Sequence, residues 1–326
     1  MTRVEKIIYN SAIFRFAETK CKKIILPGFE HVPLFDVVKF FFNQVKKVGL
    51  NDRARSISFS FLTAIPAAAI FLCTLIPYFP ISNEITRQLL LLTKDITPNQ
   101  NTYVLVSDFL KDFLNKPRGG LLSFGFILAI FYASNAMLGI MRSFNKSLIY
   151  NTRQNFFQIR WMAIKLTILL VFLVIGFVII MVTQDALLKN ILVWMNIKRH
   201  SAKWLFKTLR WVVIIPLFYY SIAFIYKYAP AVQKRWKLSS PGTILATFLI
   251  ILTTIFFSFW VNKFSTYNKV YGSIGTILIL MLIIYFNSLV LLIGYELNVS
   301  IHHLKTIADE RSEEGKSAHN KVKPLK

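Results

Sequence analysis

The sequence predicts an all-α polytopic membrane protein. Three observations predict it: an apolar composition, long uncharged runs, and basic residues gathered on alternate connections. Of 326 residues, 55% are hydrophobic and 17% charged, with 30 Phe and a mean hydropathy of +0.52. A soluble domain of this size would have to expose much of that apolar surface to water. Charge-free runs cover 57–78, 119–141, 166–184, 211–226, 238–262 and 270–295. A helix needs about 20 apolar residues to cross a hydrocarbon core about 30 Å thick. Five of the runs are near that length or above it. The expected architecture is six transmembrane helices, an amphipathic N-terminal interfacial helix, and an extramembrane helical hairpin between spans one and two.

Each element follows in chain order. Residues 1–55 form a cytoplasmic N-terminal segment. Within it Leu34, Val37, Val38, Phe41, Val45 and Val48 share one helical face, while Lys39, Asn43, Lys46 and Lys47 lie elsewhere. That pattern fits a helix lying in the membrane interface. The transmembrane domain, 56–302, has spans near 57–77, 120–141, 161–183, 209–228, 242–262 and 272–298. The fourth is the shortest, with 16 uncharged residues between Arg210 and Lys227. Its Trp211, Tyr219, Tyr220, Tyr226 and Tyr228 suit an interfacial aromatic belt. The outer loop, 79–118, repeats apolar residues at Ile85, Leu89 and Leu92, breaks at Thr97-Pro98-Asn99, and resumes at Val106, Phe109, Leu110 and Phe113. A helical hairpin is expected there, either a gate or a surface elaboration. Residues 303–326 are polar and are expected to form a disordered cytoplasmic tail.

Basic residues orient the chain. One face collects 25 Lys and Arg, the other 13. The positive-inside rule therefore puts both termini in the cytoplasm. Of the formal charge of +24, +16 lies on that face. It is attracted to anionic lipid headgroups. Nucleic acid is not an expected partner, because the charge is spread over four segments and makes no single stripe.

Helices in lipid associate through close backbone approach and polar contacts. Gly125, Ala129 and Ala133 recur every four residues, with Ala136 and Gly139 near the same side, and span one carries Ser60, Ala64, Ala67 and Ala68 around Pro66. Charges within the spans are few and therefore informative. Glu296 ends a run of 26 uncharged residues, with Arg53, Arg142 and Lys165 as candidate partners at similar depth. It either pins neighbouring helices, or titrates or meets a substrate headgroup. Lys165 alternatively snorkels to the interface. At the outer side, Asp185 ends span three and Arg210 begins span four. Asn135, Asn287 and Asn298 are expected to make interhelical hydrogen bonds, and Asn298 joins the candidates for substrate contact.

Catalytic patterns do not emerge. Neither Cys21 nor Cys73 suggests a disulfide framework. The histidines at 31, 200, 302, 303 and 319 lack metal-ligand spacing, so no metal and no cofactor is expected. Phosphate-loop, dinucleotide-turn and nucleophile-elbow motifs are missing. Arg3, Glu5, Lys6 and Arg15 interrupt any signal-peptide core, so no cleaved leader is expected.

Several motifs resemble the YihY/virulence factor BrkB family of bacterial inner-membrane proteins, once labelled ribonuclease BN. They are Arg53-Ala54-Arg55-Ser56-Ile57-Ser58-Phe59 with Pro66 in the same helix, Gly119-Gly120-Leu121-Leu122-Ser123, and Met141-Arg142-Ser143-Phe144-Asn145-Lys146. Ser240-Pro241-Gly242 follows, then Tyr267-Asn268-Lys269-Val270-Tyr271-Gly272-Ser273-Ile274-Gly275, and finally Gly294-Tyr295-Glu296-Leu297-Asn298. The resemblance runs from about 35 to 302. The chain departs from the family pattern at Thr63-Ala64-Ile65-Pro66 and at Ile283-Ile284-Tyr285. The resemblance implies a six-helix protein of the bacterial inner membrane with cytoplasmic termini, linked to envelope integrity and to the movement of lipid or another amphiphile; no enzyme is expected, because no catalytic pattern emerges. Pro66, Gly120, Pro241, Gly242, Tyr267, Tyr271, Gly272 and Gly294 would be its structural residues. Arg53, Arg142, Asn145, Lys165, Glu296 and Asn298 are the candidate substrate or ion-pair residues, read from the placement of polar groups in and beside the spans. Three functions stay open: a transporter of lipid or another amphiphile, a scaffold that binds envelope protein partners, or a subunit of a larger energised transporter. The ribonuclease label finds no carboxylate or His cluster to cleave a phosphodiester.

Overall fold

A computed structural model describes residues 28–29, 32–78, 90, 100–115, 117–148, 154–194, 203–232, 236–263 and 265–322. The helices are α1 (Leu34–Lys47), α2 (Leu50–Leu75, ending in a 3₁₀ turn at Ile76–Tyr78), α3 (Gln100–Asn115), α4 (Gly119–Asn145), α5 (Phe156–Trp194), α6 (Lys203–Tyr228), α7 (Pro241–Lys263) and α8 (Ser265–Val322). No strand occurs among the described residues. Five stretches among them are long and apolar enough to cross a membrane: Leu50–Leu75, Gly119–Asn145, Phe156–Gly176, Pro241–Trp260 and Leu278–Glu313. The remaining expected span falls on α6, a helix of 26 residues with Pro216 inside it.

Local chemistry sets the boundaries. Asp36 in the first turn of α1 and Lys46 and Lys47 in its last match the helix dipole. Gly49 follows at φ +64°, a left-handed position that favours glycine and turns the chain into α2. Ser240 caps α7: its Oγ accepts the Thr243 N–H at 3.3 Å. Pro241 takes the first helical position, where its missing N–H costs nothing.

Packing closes six of the helices into a ring. α2 lies against α4, α4 against α5, α5 against α6, α6 against α7, α7 against α8, and α8 against α2. The small-residue stripe on α4 serves this ring: a side-chain carbon on Gly125 would meet Phe71 Cα at 3.4 Å, and one on Gly139 would meet Ser60 Oγ at 3.3 Å. The tightest core gathers where α2, α5 and α7 begin and α4 and α6 end. Ala54, Ile57, Met141, Phe144, Ala163, Tyr226, Ala246, Leu292 and Tyr295 are buried together there. Tyr295 stacks on Phe144 with centroids 3.7 Å apart and planes at 3°. The outer surface is apolar instead, with Phe124, Ile127, Phe172, Phe248 and Phe256 exposed. Each such side chain left in water forgoes about 2 kcal/mol of burial, a cost that lipid removes.

Two expectations change. Residues 303–322 are helical and not an unstructured tail, because α8 runs unbroken to Val322. Ala308, Glu310, Arg311, Glu313 and Glu314 are good helix formers, and extending a nucleated helix needs neither aromatics nor a core. The boundary placed at 55 falls inside α2, which starts at Leu50. Of the expected outer hairpin, α3 supplies the second arm and packs on α2; the first arm lies outside the described residues apart from residue 90. Meanwhile α1 rests on α8 through Val37 and Ile301, with Phe40 and His303 rings 5.0 Å apart. The segments flanking the bundle at its two ends of sequence therefore meet on one side.

Candidate functional site

Polar side chains concentrate in that same end of the bundle. Glu296, on α8, is fully buried, and Arg53, one turn into α2, is 7% exposed. Arg53 Nη1 donates to Glu296 Oε1 at 3.1 Å and to Ser147 Oγ at 2.6 Å. Ser147, just past α4, donates to the same carboxylate oxygen. Three segments are thus tied to one oxygen. The other oxygen, Oε2, is buried without a hydrogen-bond partner among the described residues, and the Gln44 side chain of α1 approaches the carboxylate.

A second polar knot joins α7 to α8. The Gly242 N–H donates to Asn298 Oδ1 at 2.8 Å, and Asn298 Nδ2 donates to Ser240 Oγ at 2.8 Å. The backbones nearly touch here. A side-chain carbon on Gly242 would overlap the Gly294 carbonyl, and one on Gly294 would sit 2.6 Å from both the Gly242 carbonyl and Tyr226 Oη. Only glycine fits at either place. Tyr226 Oη donates to the Leu291 carbonyl at 2.6 Å, which adds α6 to the same knot.

Two recesses flank α2. Between α2 and α4 a cleft of about 750 Å³ is lined by Arg53, Ser56, Tyr132, Asn135, Arg142 and Lys146, among others. On the far flank a groove of about 650 Å³ is lined by Leu62, Trp260, Leu278, Met281 and Leu282, with Arg55 among its few polar groups. Phe59 lines both and is 67% exposed.

Of the three cations expected near Glu296, the structure pairs Arg53 and not the others. Arg142 is exposed in the cleft. Lys165 points outward, with Nζ 5.4 Å from the Trp161 ring centre. Both sit on the wrong face of their helices to reach the carboxylate. Asn145 holds the chain after α6 by accepting the Ala231 N–H at 2.9 Å, and Asn135 accepts from Arg160 across α4 and α5. Asn287, expected to bond between helices, has a buried Oδ1 with no partner among the described residues. Pro66 lies inside α2, and Gly120 is the second residue of α4, with nothing crowding it. Tyr267, Tyr271 and Gly272 fall in the first turns of α8, with their side chains outside the described residues, as are those of Asp185 and Arg210. Ser147 went unrecognised in the sequence. Its signal was its place one residue after the Met141–Lys146 motif, at a helix end facing the buried acid.

The five apolar stretches, the glycine contact and the buried pair all fall within a segment that matches one family. Residues 41–320 match the family model for virulence factor BrkB. The chain belongs to that family. Among relatives of this BrkB protein, the ribonuclease-like protein YfkH of Bacillus subtilis is 30% identical over 261 residues, 79% of this chain and 92% of the relative. A UPF0761 membrane protein of Haemophilus influenzae is 23% identical over 264 residues, 79% and 91% of the two chains. One from Idiomarina loihiensis is 33% identical over 91 residues, 28% and 32% of the two. No solved structure matches the chain. The BrkB resemblance read from the motifs is therefore borne out, and the protein is a multi-pass membrane protein of that family.

Proposed function

We propose that this BrkB-family protein handles or transports a lipid or another amphiphile at the bacterial inner membrane, in support of envelope integrity. In this reading α6 supplies the sixth span, α1 lies in the cytoplasmic interface, and both termini are cytoplasmic with their basic segments on anionic headgroups. The observation that carries the reading is the pair of recesses on α2. One is polar and basic, the other apolar, and Phe59 belongs to both. That suits a molecule with a charged head and greasy chains. The polar cleft also reaches Arg53 from between two helices, so the buried pair borders the path. The test is reconstitution into liposomes carrying labelled lipid, with and without a proton gradient. Lipid crossing faster than in protein-free vesicles is the expected result; a rate at background in both conditions refutes it.

A scaffold reading draws on a different observation, the full burial of Glu296 against Arg53 and Ser147. A sealed, neutralised carboxylate is what a helix-pinning role requires. Crosslinking from the outer segment would then trap one envelope protein and not lipid alone.

A further inference from the structure

We propose that the α2–α4 cleft is a phosphate site that takes the phosphate-bearing head of an anionic amphiphile; this rests on the amphiphile reading above. The argument begins from donors and acceptors. Arg142, in the last turn of α4, and Lys146, its C-cap in helical conformation, stand four residues apart and so share one face. Both line the cleft, both are exposed, and neither makes an ion pair among the described residues. Asp52 also lines the cleft, and its carboxylate accepts from Arg55 at 3.2 Å, which offsets its charge. Around the two cations lie Ser56, Tyr132 and Ser143, whose hydroxyls donate to no other group among the described residues. Asn135 commits its Oδ1 to Arg160, which leaves its amide hydrogens for the cleft. Arg53 adds a guanidinium that Glu296 holds by one nitrogen.

The lining is therefore rich in donors and short of uncommitted acceptors, the inventory that an oxyanion with several oxygens satisfies. Depth separates a lipid head from a bare ion in what the cleft can hold. From Arg53 to Thr63, both in its lining, the cleft follows α2 for about 15 Å. Below the cations its wall carries Ser60, which donates to the Ser56 carbonyl, and Thr63, which donates to the Ser60 carbonyl. These hydroxyls are satisfied by their own helix, so the inner cleft costs little when empty or when an ester arm without donors lies along it. A phosphate at the cationic mouth, with its ester arm running inward past Phe59, uses every part of the lining.

The test uses the full chain in detergent and three probes: a short-chain phosphatidic acid, the diacylglycerol of the same chains, and inorganic phosphate. The variant is Arg142→Gln with Lys146→Gln, two exposed positions whose loss should leave the melting temperature unchanged. Losing two charge-assisted contacts should raise the Kd for phosphatidic acid at least about tenfold, with diacylglycerol binding equal in both proteins. Phosphatidic acid binding that is equal in both proteins overturns the site. Inorganic phosphate that displaces phosphatidic acid at matching concentration overturns the lipid as its source and supports the anion site alone. The vesicle assay separates the two claims. Phosphatidic acid binding that depends on Arg142 and Lys146, without lipid movement in the wild type, supports the site and overturns the function; lipid movement with binding indifferent to the variant does the reverse.

Discussion

Breaking the buried pair should cost far more than removing it whole. At 3.1 Å and an effective dielectric of about 20, the attraction between Arg53 and Glu296 is about 5 kcal/mol. Desolvating both groups consumes most of it, so the net worth of the pair is small. A lone survivor has no such compensation. In Arg53→Met, Glu296 would keep the Ser147 donor and lose its counter-charge; in Glu296→Leu, a guanidinium 7% exposed would keep the Ser147 hydroxyl without a carboxylate. Each single change should destabilise the protein by about 3–5 kcal/mol, whereas Arg53→Met with Glu296→Leu should fall within about 1–2 kcal/mol of wild type. The assay is reversible unfolding in mixed micelles as sodium dodecyl sulfate is raised, followed by tryptophan fluorescence. If the double variant lost the sum of the two single losses, the pair would carry no coupling, and the pinning of α2 to α8 through it would be wrong.

Three further outcomes follow from the same geometry. Gly294→Ala should lower stability by about 1–3 kcal/mol or more, read as a reduced melting temperature in detergent, because its new carbon has Tyr226 Oη and the Gly242 carbonyl 2.6 Å away. Asn298→Leu should cost about 1–3 kcal/mol in the same measurement, since the buried Gly242 N–H and Ser240 Oγ both lose a partner; a wild-type melt would refute that knot. Lys165→Gln should melt like wild type, because its ammonium touches the Trp161 face and not Glu296, and a large loss would restore it as a partner of the acid.

The membrane-crossing elements were legible in the sequence because hydrocarbon imposes a length and an absence of charge that any reader can count. Glu296 was legible for the same reason, as an acid ending a long uncharged run. Its partner was not, since Arg53, Arg142 and Lys165 share a depth and differ only in which way their helices are rotated. Rotation is set by neighbours such as Gly139 against Ser60, which the one-dimensional pattern does not contain. The helical continuation after 302 was hidden because polarity was read as disorder. A polar sequence of helix formers joined to a stable span inherits its nucleus, so composition alone misjudges it. The α2–α4 cleft was invisible for a third reason: Ser56, Tyr132 and Ser143 are ordinary residues until two helices bring them into one wall.

The length of α8 has a mechanical consequence. Beyond Asn298 the helix runs on without a break to Val322, about 36 Å at the usual rise per residue. Its fulcrum is the glycine crossing with α7, where two backbones meet with no side chain between them to cushion a pivot. A rock of about 5° there would swing the far tip by about 3 Å over that lever arm. Motion too small to open a gap within the bilayer would thus be read out, enlarged, in the aqueous space beyond it, and the α1 helix clasped to Ile301 would ride on the same arm.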